Sequence, residues 1–393
     1  MGSIQDLPDG KSPDISLVVS TPEEVREQTL ANSVEWRGAL NLEAYLRREA
    51  RLGQQDMAKD GGLTPWSLVY QLPGSKQRQV LSGCETFRKT ALVAKDGKVE
   101  ACTAHGVCSV FCPSEYRGKG YAGRMMRELG PILRRWQTDG ANEAKFSVLY
   151  SDIGKKFYAA RGWYPFPSTH LAVPTSALAN ATTSTLPSTQ PLESKDLPEL
   201  CTLDERTIRQ RLAKQDSSGK TTVALIPDYR TMAWHHARED FIAEDLFQRS
   251  ISVRGAITGE SGKRVWCYWT RVWPNPSEGG VDTLHILRLG IEDLEFSDFH
   301  AASNEQAGRL HGIYVTRAVA ALFTAALTEA KNWGMKQIQL WNPTSTSLAA
   351  SRILDKNVLV EHREEESITS LQWYGEGNWQ DVDWLCNEKY GWC

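Results

Sequence analysis

The chain has no excess of charge of either sign. Its 45 Lys and Arg stand against 48 Asp and Glu, a net of −3 over 393 residues. Such a balance gives no electrostatic footprint for wrapping nucleic acid, and no nucleic-acid partner is expected. Cysteine is sparse: eight residues without paired spacing, which excludes a disulfide framework. Cys84, Cys102, Cys108 and Cys112 sit among apolar residues and read as small buried side chains with free thiols. Long apolar runs are also missing. The longest weakly polar stretch, Ala318 to Leu327, falls well short of the roughly 20 residues that a bilayer span needs. The opening MGSIQDLPDGKSPD has no apolar core of a signal peptide. Asp6 stands where a myristoylation signal wants Ser or Thr, and Cys393 is last rather than fourth from the end, as prenylation requires. His235 and His236 are adjacent, without the i, i+4 spacing of a helical metal pair, so no metal is expected. Together these absences predict a cytoplasmic protein with no membrane association, and they leave the oligomeric state open.

What is present suggests two domains. Residues 1–14 read as a disordered lead, and 15–173 as a first domain. A Ser-, Thr- and Ala-rich linker at 174–191 leads to a second domain at 192–393. Thr21-Pro22-Glu23-Glu24 carries a helix start: a capping Thr, Pro at the first helical position, then acids. The helical region runs to about Leu52, broken near Gly38. Strands are expected at Trp66–Leu72, Thr90–Lys95 and Val107–Cys112, with a hairpin turn at Asp96-Gly97. From Gly120 the period becomes helical through Ala122, Met125, Met126, Leu129, Leu133 and Trp136. A strand at Phe146–Tyr150 and a short helix at Ile153–Ala160 follow. The second domain holds ten of the fourteen Trp. It shows strands at Arg264–Trp273, Thr283–Leu289 and Gln337–Trp341, and a long helix over Val315–Trp333. The fold class is α/β of the α+β kind, a mixed sheet flanked by helices.

The chemistry centres on SVFCPSEYRGKGYAGRMM, in which a strand feeds a turn with Gly118, Gly120 and Gly123 that opens a helix. Main-chain N–H groups at such a terminus have no helical acceptor and lie at the positive end of the helix dipole, which suits a phosphate or pyrophosphate. Glycine lets the ligand approach the backbone, and Arg117 and Lys119 add positive charge. The string also fits a dinucleotide G-x-G-x-x-G, but several strands precede it and no acidic ribose ligand follows about twenty residues on. Ser218-Gly219-Lys220-Thr221 has the ending of a nucleotide loop, but Lys214 stands where that loop demands glycine.

Arg117-x-x-Gly120-x-Ala122 resembles the R/Q-x-x-G-x-G/A signature of the GNAT superfamily of N-acetyltransferases. The stretch SDIGKKFYAARGW from Ser151 to Trp163 is similar to the superfamily's following strand end and Tyr-bearing helix. Ser151 stands where Asn is frequent and Gly154 where Ala is frequent. The runs FSVLYSDIGKKFYAARGW, WHHARED and NEKYGWC extend a narrower resemblance to the fungal lysine N-acetyltransferases of lysine catabolism. The resemblance implies a GNAT-type sheet, then a second, degenerate GNAT-like lobe that closes over an amine such as free lysine. It implies acetyl-CoA as co-substrate, with the diphosphate on Arg117, Gly118, Lys119, Gly120, Tyr121, Ala122 and Gly123. Pantetheine is expected along Val110, Phe111 and Cys112, between splayed strands, with Ser151 nearby.

The resemblance also implies direct attack of the amine on the thioester. Spacing alone reads Tyr158 as a packing residue; the resemblance makes it the proton donor to the departing thiolate. A lysine-type amine of pKa about 10.4 costs roughly 4.6 kcal/mol to deprotonate at pH 7, so a base is needed. Glu85, His105 and the terminal carboxylate of Cys393 are three candidates, and a water chain without a dedicated base is a fourth arrangement. Trp266, Trp269, Trp273 and Trp341 read as core, with one or two available to a cation.

Overall fold

A computed structural model describes residues 7–71, 74, 76–138, 143–179, 184–214, 219–275, 277, 279–296, 298, 302 and 312–393. The first half runs β1 (Ile15–Val19), α1 (Pro22–Trp36), α2 (Leu42–Leu52), β2 (Leu63–Gln71), β3 (Arg78–Lys95), β4 (Lys98–Phe111), α3 (Tyr121–Leu133), β5 (Phe146–Ser151), α4 (Lys156–Ala159), β6 (Tyr164–Pro165) and β7 (Thr169–Pro174). The second half runs β8 (Gln190–Leu192), α5 (Leu197–Lys214), β9 (Thr221–Leu225), α6 (Tyr229–Phe247), β10 (Gly255–Thr258), β11 (Val265–Val272) and β12 (Thr283–Ile291). It continues through α7 (Ile313–Asn332), β13 (Gln337–Trp341), α8 (Ser345–Leu354), β14 (Glu361–His362), β15 (Ile368–Trp373) and β16 (Val382–Trp384).

Local chemistry explains several boundaries. At α1 the Thr21 hydroxyl accepts from Glu24 N (3.3 Å), and the Glu24 carboxylate accepts from Thr21 N (2.8 Å), a reciprocal capping box ahead of Pro22. Asn41 caps α2 and Asp228 caps α6 in the same manner, each accepting from the N–H three residues on. Asp96 and Gly97 take φ of 52° and 76°, the positive pair that a two-residue hairpin needs between β3 and β4. Both strands of that hairpin are longer than the apolar pattern predicts. Polar Ser82, Thr86 and Lys89 interrupt the run in β3, yet all three are buried.

Two sheets result. The first contains the order β1-β2-β3-β4-β5-β15-β6, with β9 on β3 and β16 on β9; the second has the order β14-β7-β13-β12-β11-β10-β8. Each repeats one theme. In the first sheet β2, β3 and β4 are antiparallel and α3 returns the chain to a parallel β5. In the second, β10, β11 and β12 are antiparallel and α7 returns it to a parallel β13. The strand beside β5 is β15, from the second half, and the strand beside β13 is β7, from the first. The two halves therefore exchange strands, and the division into 15–173 and 192–393 does not separate the sheets. Pro174 ends β7, 175–179 form a 3₁₀ turn, and Gln190 and Pro191 pair with β10, so both ends of 174–191 are tied into the second sheet. Residues 180–183 lie outside the described residues.

Residues 7–14, expected as part of a disordered lead, are tied down. Gly10 N donates to Lys119 O (2.8 Å), Lys119 Nζ donates to Leu7 O (3.3 Å), and the Arg124 guanidinium donates to the carbonyls of Gly10, Ser12 and Ile15. Residues 1–6 and Ser218 lie outside the described residues. Helix α7 is twenty residues long with mean hydropathy 1.3, long and apolar enough to cross a membrane, contrary to the shorter run expected from the sequence. Here it serves as the core helix of the second sheet: Ala318, Val319, Leu322, Phe323, Ala326 and Leu327 are fully buried. A further cluster joins Phe146 and Val148 of the first sheet to Tyr268 and Leu287 of the second through α5 and Tyr390.

Candidate active site

The glycine turn has the predicted form. Gly118 and Gly120 take φ of 84° and 85°, a region that L-residues other than glycine avoid, and Gly120 is the N-cap of α3 without a side-chain cap. A Cβ built on either glycine would meet nothing within 4 Å, so the backbone there faces open space. The first-turn N–H groups of α3 are thus available to an anion. Arg117 reaches back along this face, its Nε donating to Cys112 O (3.0 Å) and its Nη2 lying 3.6 Å from Glu35. Lys119 departs from expectation: its side chain and carbonyl both engage residues 7–10, and it does not line the cavity described below.

Strand β4 prepares the second feature. Opposite β3 its register slips between Gly83 and Glu85, leaving Ser109 and Val110 across from Cys84 alone. This is a β-bulge, and Ser109 sits at φ 52°. On the other side β4 pairs in parallel with β5 only from Ala104 to Val107. Beyond Val107 and Leu149 the strands part. The main chain of Cys108 to Phe111 therefore has no ladder partner on β5, and the gap opens directly above the glycine turn. Val110, Phe111 and Cys112 line it.

The bulge also places Glu85. Ser109 Oγ donates to Glu85 Oε2 (2.7 Å), and the carboxyl lines the cavity wall. Burial, then the nearby Glu49 charge, raises the Glu85 pKa to about 7, against a smaller opposing effect of the Ser109 bond. Tyr158, on the single turn α4, also lines the cavity and is 7% exposed. Burial holds its phenol protonated well above the usual tyrosine range. Among the described residues its hydroxyl has no hydrogen-bond partner, so it is free to donate into the gap.

The other site expectations fare differently. His105 is fully buried and does not line the cavity; burial lowers its pKa to about 4. Its position on β4, one residue before the glycine at 106, turns it to the face away from the gap. Ser151 is also off the cavity: its hydroxyl donates to Gly154 O (2.7 Å) and accepts from Ile153 N (3.2 Å), closing a local turn. Cys393 does line the cavity, and its thiol shares a hydrogen bond with Cys108, a bond that together with burial pushes the Cys108 thiol up.

The cavity is large, about 1550 Å³, and runs from the glycine turn past the β4–β5 gap to α2 and α6. That volume exceeds an ordinary small-ligand pocket and suits two substrates together. The second half supplies Trp234, Arg238, Trp392 and Cys393 to its far end, while α2 supplies Tyr45, Arg48 and Glu49. Apart from Cys393, sequence reasoning did not single out these residues, although Arg238 lies within the WHHARED run. His235 and His236 are structural: their Nε2 atoms bond Tyr390 O and Trp269 O, each at 3.1 Å. Trp341 accepts Arg363 and Lys389 on its ring, while Trp266 and Trp269 are core. A smaller cavity of about 340 Å³, lined by Phe166, Arg288, Trp341 and Trp384, includes none of the turn residues.

Residues 170–393, more than half of the chain, match the family model described as LYC1 GNAT-like C-terminal domain. The chain belongs to the LYC1-like GNAT family. It is an acyltransferase of the GNAT type. Among curated relatives of this family member, a lysine acetyltransferase of Yarrowia lipolytica is 26% identical over 314 residues, covering 70% of this chain and 76% of the relative. An uncharacterized protein of Saccharomyces cerevisiae is 27% identical over 359 residues, 82% of each chain. The fold is shared with a GCN5-related N-acetyltransferase from Anabaena variabilis (TM-score 0.52, 12% identity, 91% of this chain and 72% of that one). It is shared also with Saccharomyces cerevisiae N-myristoyltransferase bearing myristoyl-CoA (TM-score 0.50, 10% identity, 93% and 81%).

Proposed function

We propose that this LYC1-like GNAT protein transfers an acetyl group from acetyl-CoA to the side-chain amine of free L-lysine or a similar small amine. The observation that carries the reading is Glu85, a carboxyl with pKa about 7 on the wall of the gap between β4 and β5. Acetyl-CoA supplies the activated acyl carbon and a thiolate leaving group. The uncapped start of α3 fits its diphosphate, and the gap fits its pantetheine arm.

Glu85, its carboxyl raised to about 7 by burial, takes a proton from the arriving ammonium, directly or through one water. The freed amine attacks the acyl carbon. A main-chain N–H of β4 beyond Val107, where the pairing with β5 has ended, would stabilise the negative charge that develops on the carbonyl oxygen. The carbon–sulfur bond breaks, the Tyr158 phenol gives its proton to the leaving sulfur, and the second proton of the attacking nitrogen passes through water to restore the phenol, leaving the neutral amide and the free thiol. The relative named a lysine acetyltransferase supports lysine as the acceptor. Walls contributed by Trp234, Arg238 and Trp392 of the second half support an enclosed small molecule over an extended peptide.

The test is thiol release by the purified protein, given acetyl-CoA with free lysine, a diamine, a lysine-containing peptide or no amine. Octanoyl-CoA and myristoyl-CoA serve as competing donors. Release with acetyl-CoA and free lysine, well above that with the peptide, is expected. Release only with the peptide reassigns the acceptor; release only with a long-chain donor reassigns the acyl group; none with any pair removes the activity.

A further inference from the structure

Arg238 is an exception among the enclosed arginines of this protein. Arg254 and Arg271 both bond the fully buried Glu239. Arg288 grips Asp204 with two bonds of 2.7 and 2.8 Å. Arg48 holds Glu49 (2.6 Å), and Arg211 and Arg363 bond main-chain carbonyls. Arg238 lines the large cavity, and among the described residues its guanidinium has neither a hydrogen bond nor an ion pair. The Trp392 ring centroid lies 5.5 Å from its guanidinium carbon. An enclosed cation without an anion is costly, and its planar fork is shaped to take a carboxylate with two bonds.

The surroundings make this a built position. Arg238 follows from the register of α6, and that register is fixed next door: Glu239 accepts from Arg254 Nη1 (2.7 Å), Arg271 N (2.8 Å) and Arg271 Nη1 (3.0 Å). The helix cannot turn to hide Arg238 without breaking those buried pairs. The Lys389 Nζ lies 4.2 Å from the same Trp392 ring. Burial, then the charge of Arg238, pulls Lys389 down to about 7. The Arg48 charge reinforces burial in lowering Arg238 to about 9, while Glu49 opposes it, so Arg238 remains a cation at pH 7. Glu49 is already engaged by Arg48. Tyr45, Glu85 and Arg238 all line this one cavity.

We propose that Arg238 binds a carboxylate of the amine substrate, so that this site takes amines carrying a carboxylate, as in a free diamino acid, in preference to simple diamines. The inference rests on the acetyl-transfer reading above. The substrate amine lies at Glu85 and its carboxylate at Arg238, on the guanidinium edge left open by Trp392.

Steady-state kinetics with acetyl-CoA test this, using L-lysine, lysinamide and 1,5-diaminopentane on the wild type, Arg238→Met and Arg238→Lys. Losing one partner of an enclosed charge pair raises KM for L-lysine about 30-fold or more. Expected with Arg238→Met are that rise, a kcat within a few-fold of the wild type, and unchanged KM for 1,5-diaminopentane and acetyl-CoA. Arg238→Lys restores part of the lysine affinity. The proposal is overturned if the wild type does not prefer L-lysine to lysinamide and the diamine, or if Arg238→Met harms all three amines alike. A raised KM for acetyl-CoA alone would move Arg238 to the cofactor and also overturn it. If no amine releases thiol, the acetyl-transfer reading fails by itself. Calorimetric titration of L-lysine into the CoA-saturated protein then decides the subsite: heat with the wild type but not with Arg238→Met sustains it, and no heat ends it. Should Arg238→Met not fold, the ratio of lysine to diamine with Arg238→Lys is read instead.

Discussion

Glu85 and Tyr158 face the same gap with opposite tasks, and their environments push both pKa values in the same direction with different consequences. A carboxyl raised from 4.5 to about 7 becomes a base matched to neutral pH. A phenol raised further above its usual range stays protonated at neutral pH, so it holds a proton to give. The base is active only when ionised, so kcat/KM should rise through about pH 7 and then level. Glu85→Gln should lower turnover by about 10²- to 10⁴-fold and erase that limb of the pH profile. Ser109 offers a finer check. Its hydroxyl donates to the ionised carboxylate and so holds the Glu85 pKa down. Ser109→Gly keeps the positive φ but removes the donor, so the limb should move to higher pH by up to about one unit. A limb that stays in place under both substitutions assigns the titration to another group. Tyr158→Phe should cut kcat while calorimetry finds the affinity for CoA unchanged; equal kcat removes Tyr158 from the reaction.

Three local devices build the site: a bulge in β4, a gap where β4 leaves β5, and an uncapped start to α3. Each was legible to a different degree. The glycine turn and α3 were plain from Arg117-x-x-Gly120-x-Ala122 and the apolar period after it, because both depend on local backbone chemistry. The extent of β3 was not plain. Ser82, Glu85, Thr86 and Lys89 break its apolar pattern; Ser82, Thr86 and Lys89 are buried and Glu85 is half-buried on the cavity wall, because partner strands flank β3 along both edges. Lys119 and Ser151 belong to the motif by spacing, yet one is held by residues 7–10 and the other by its own turn. Side-chain direction there depends on tertiary neighbours that no local pattern encodes. Arg238 was hidden for the same reason, being one charged residue within a helix whose burial depends on Glu239. The turn itself yields a prediction at this scale. Gly120 sits at φ 85° with open space where a Cβ would go, so Gly120→Ala meets no clash but pays the left-handed strain of about 1–2 kcal/mol. The relief is a rotation of the first turn of α3, which misaims its N–H groups. CoA affinity should fall about tenfold or more by calorimetry, with a modest drop in melting temperature. Unchanged affinity would place the diphosphate elsewhere.

Strand exchange makes the two sheets one folding problem. The first sheet takes β15 against the full length of β5, from Phe146 paired with Trp373 to Ser151 paired with Ile368, and takes β9 against Ala91 to Ala94 of β3. All of those partners come from beyond residue 220, while β7 of the first half completes the second sheet between β13 and β14. A fragment ending at residue 173 would uncover Phe146, Val148, Ala91 and Leu92, now fully buried, and leave β5 with a free edge. Each large apolar side chain returned to water costs about 1.5–3 kcal/mol, against a total stability of about 5–15 kcal/mol for a typical domain. Two or three such side chains, together with the lost ladders, are enough to unfold the fragment. Residues 1–173 alone should therefore show no cooperative thermal transition by far-ultraviolet circular dichroism. The full chain should melt in a single step that coincides by circular dichroism and by Trp fluorescence, which is weighted to the second half by ten of fourteen Trp. A cooperative melt of the isolated fragment, or two separated transitions in the full chain, would mean that the exchanged strands decorate the sheets rather than complete them. The cavity would then be a meeting of two independent bodies, and Arg238 and Trp392 would be free to move away from Glu85.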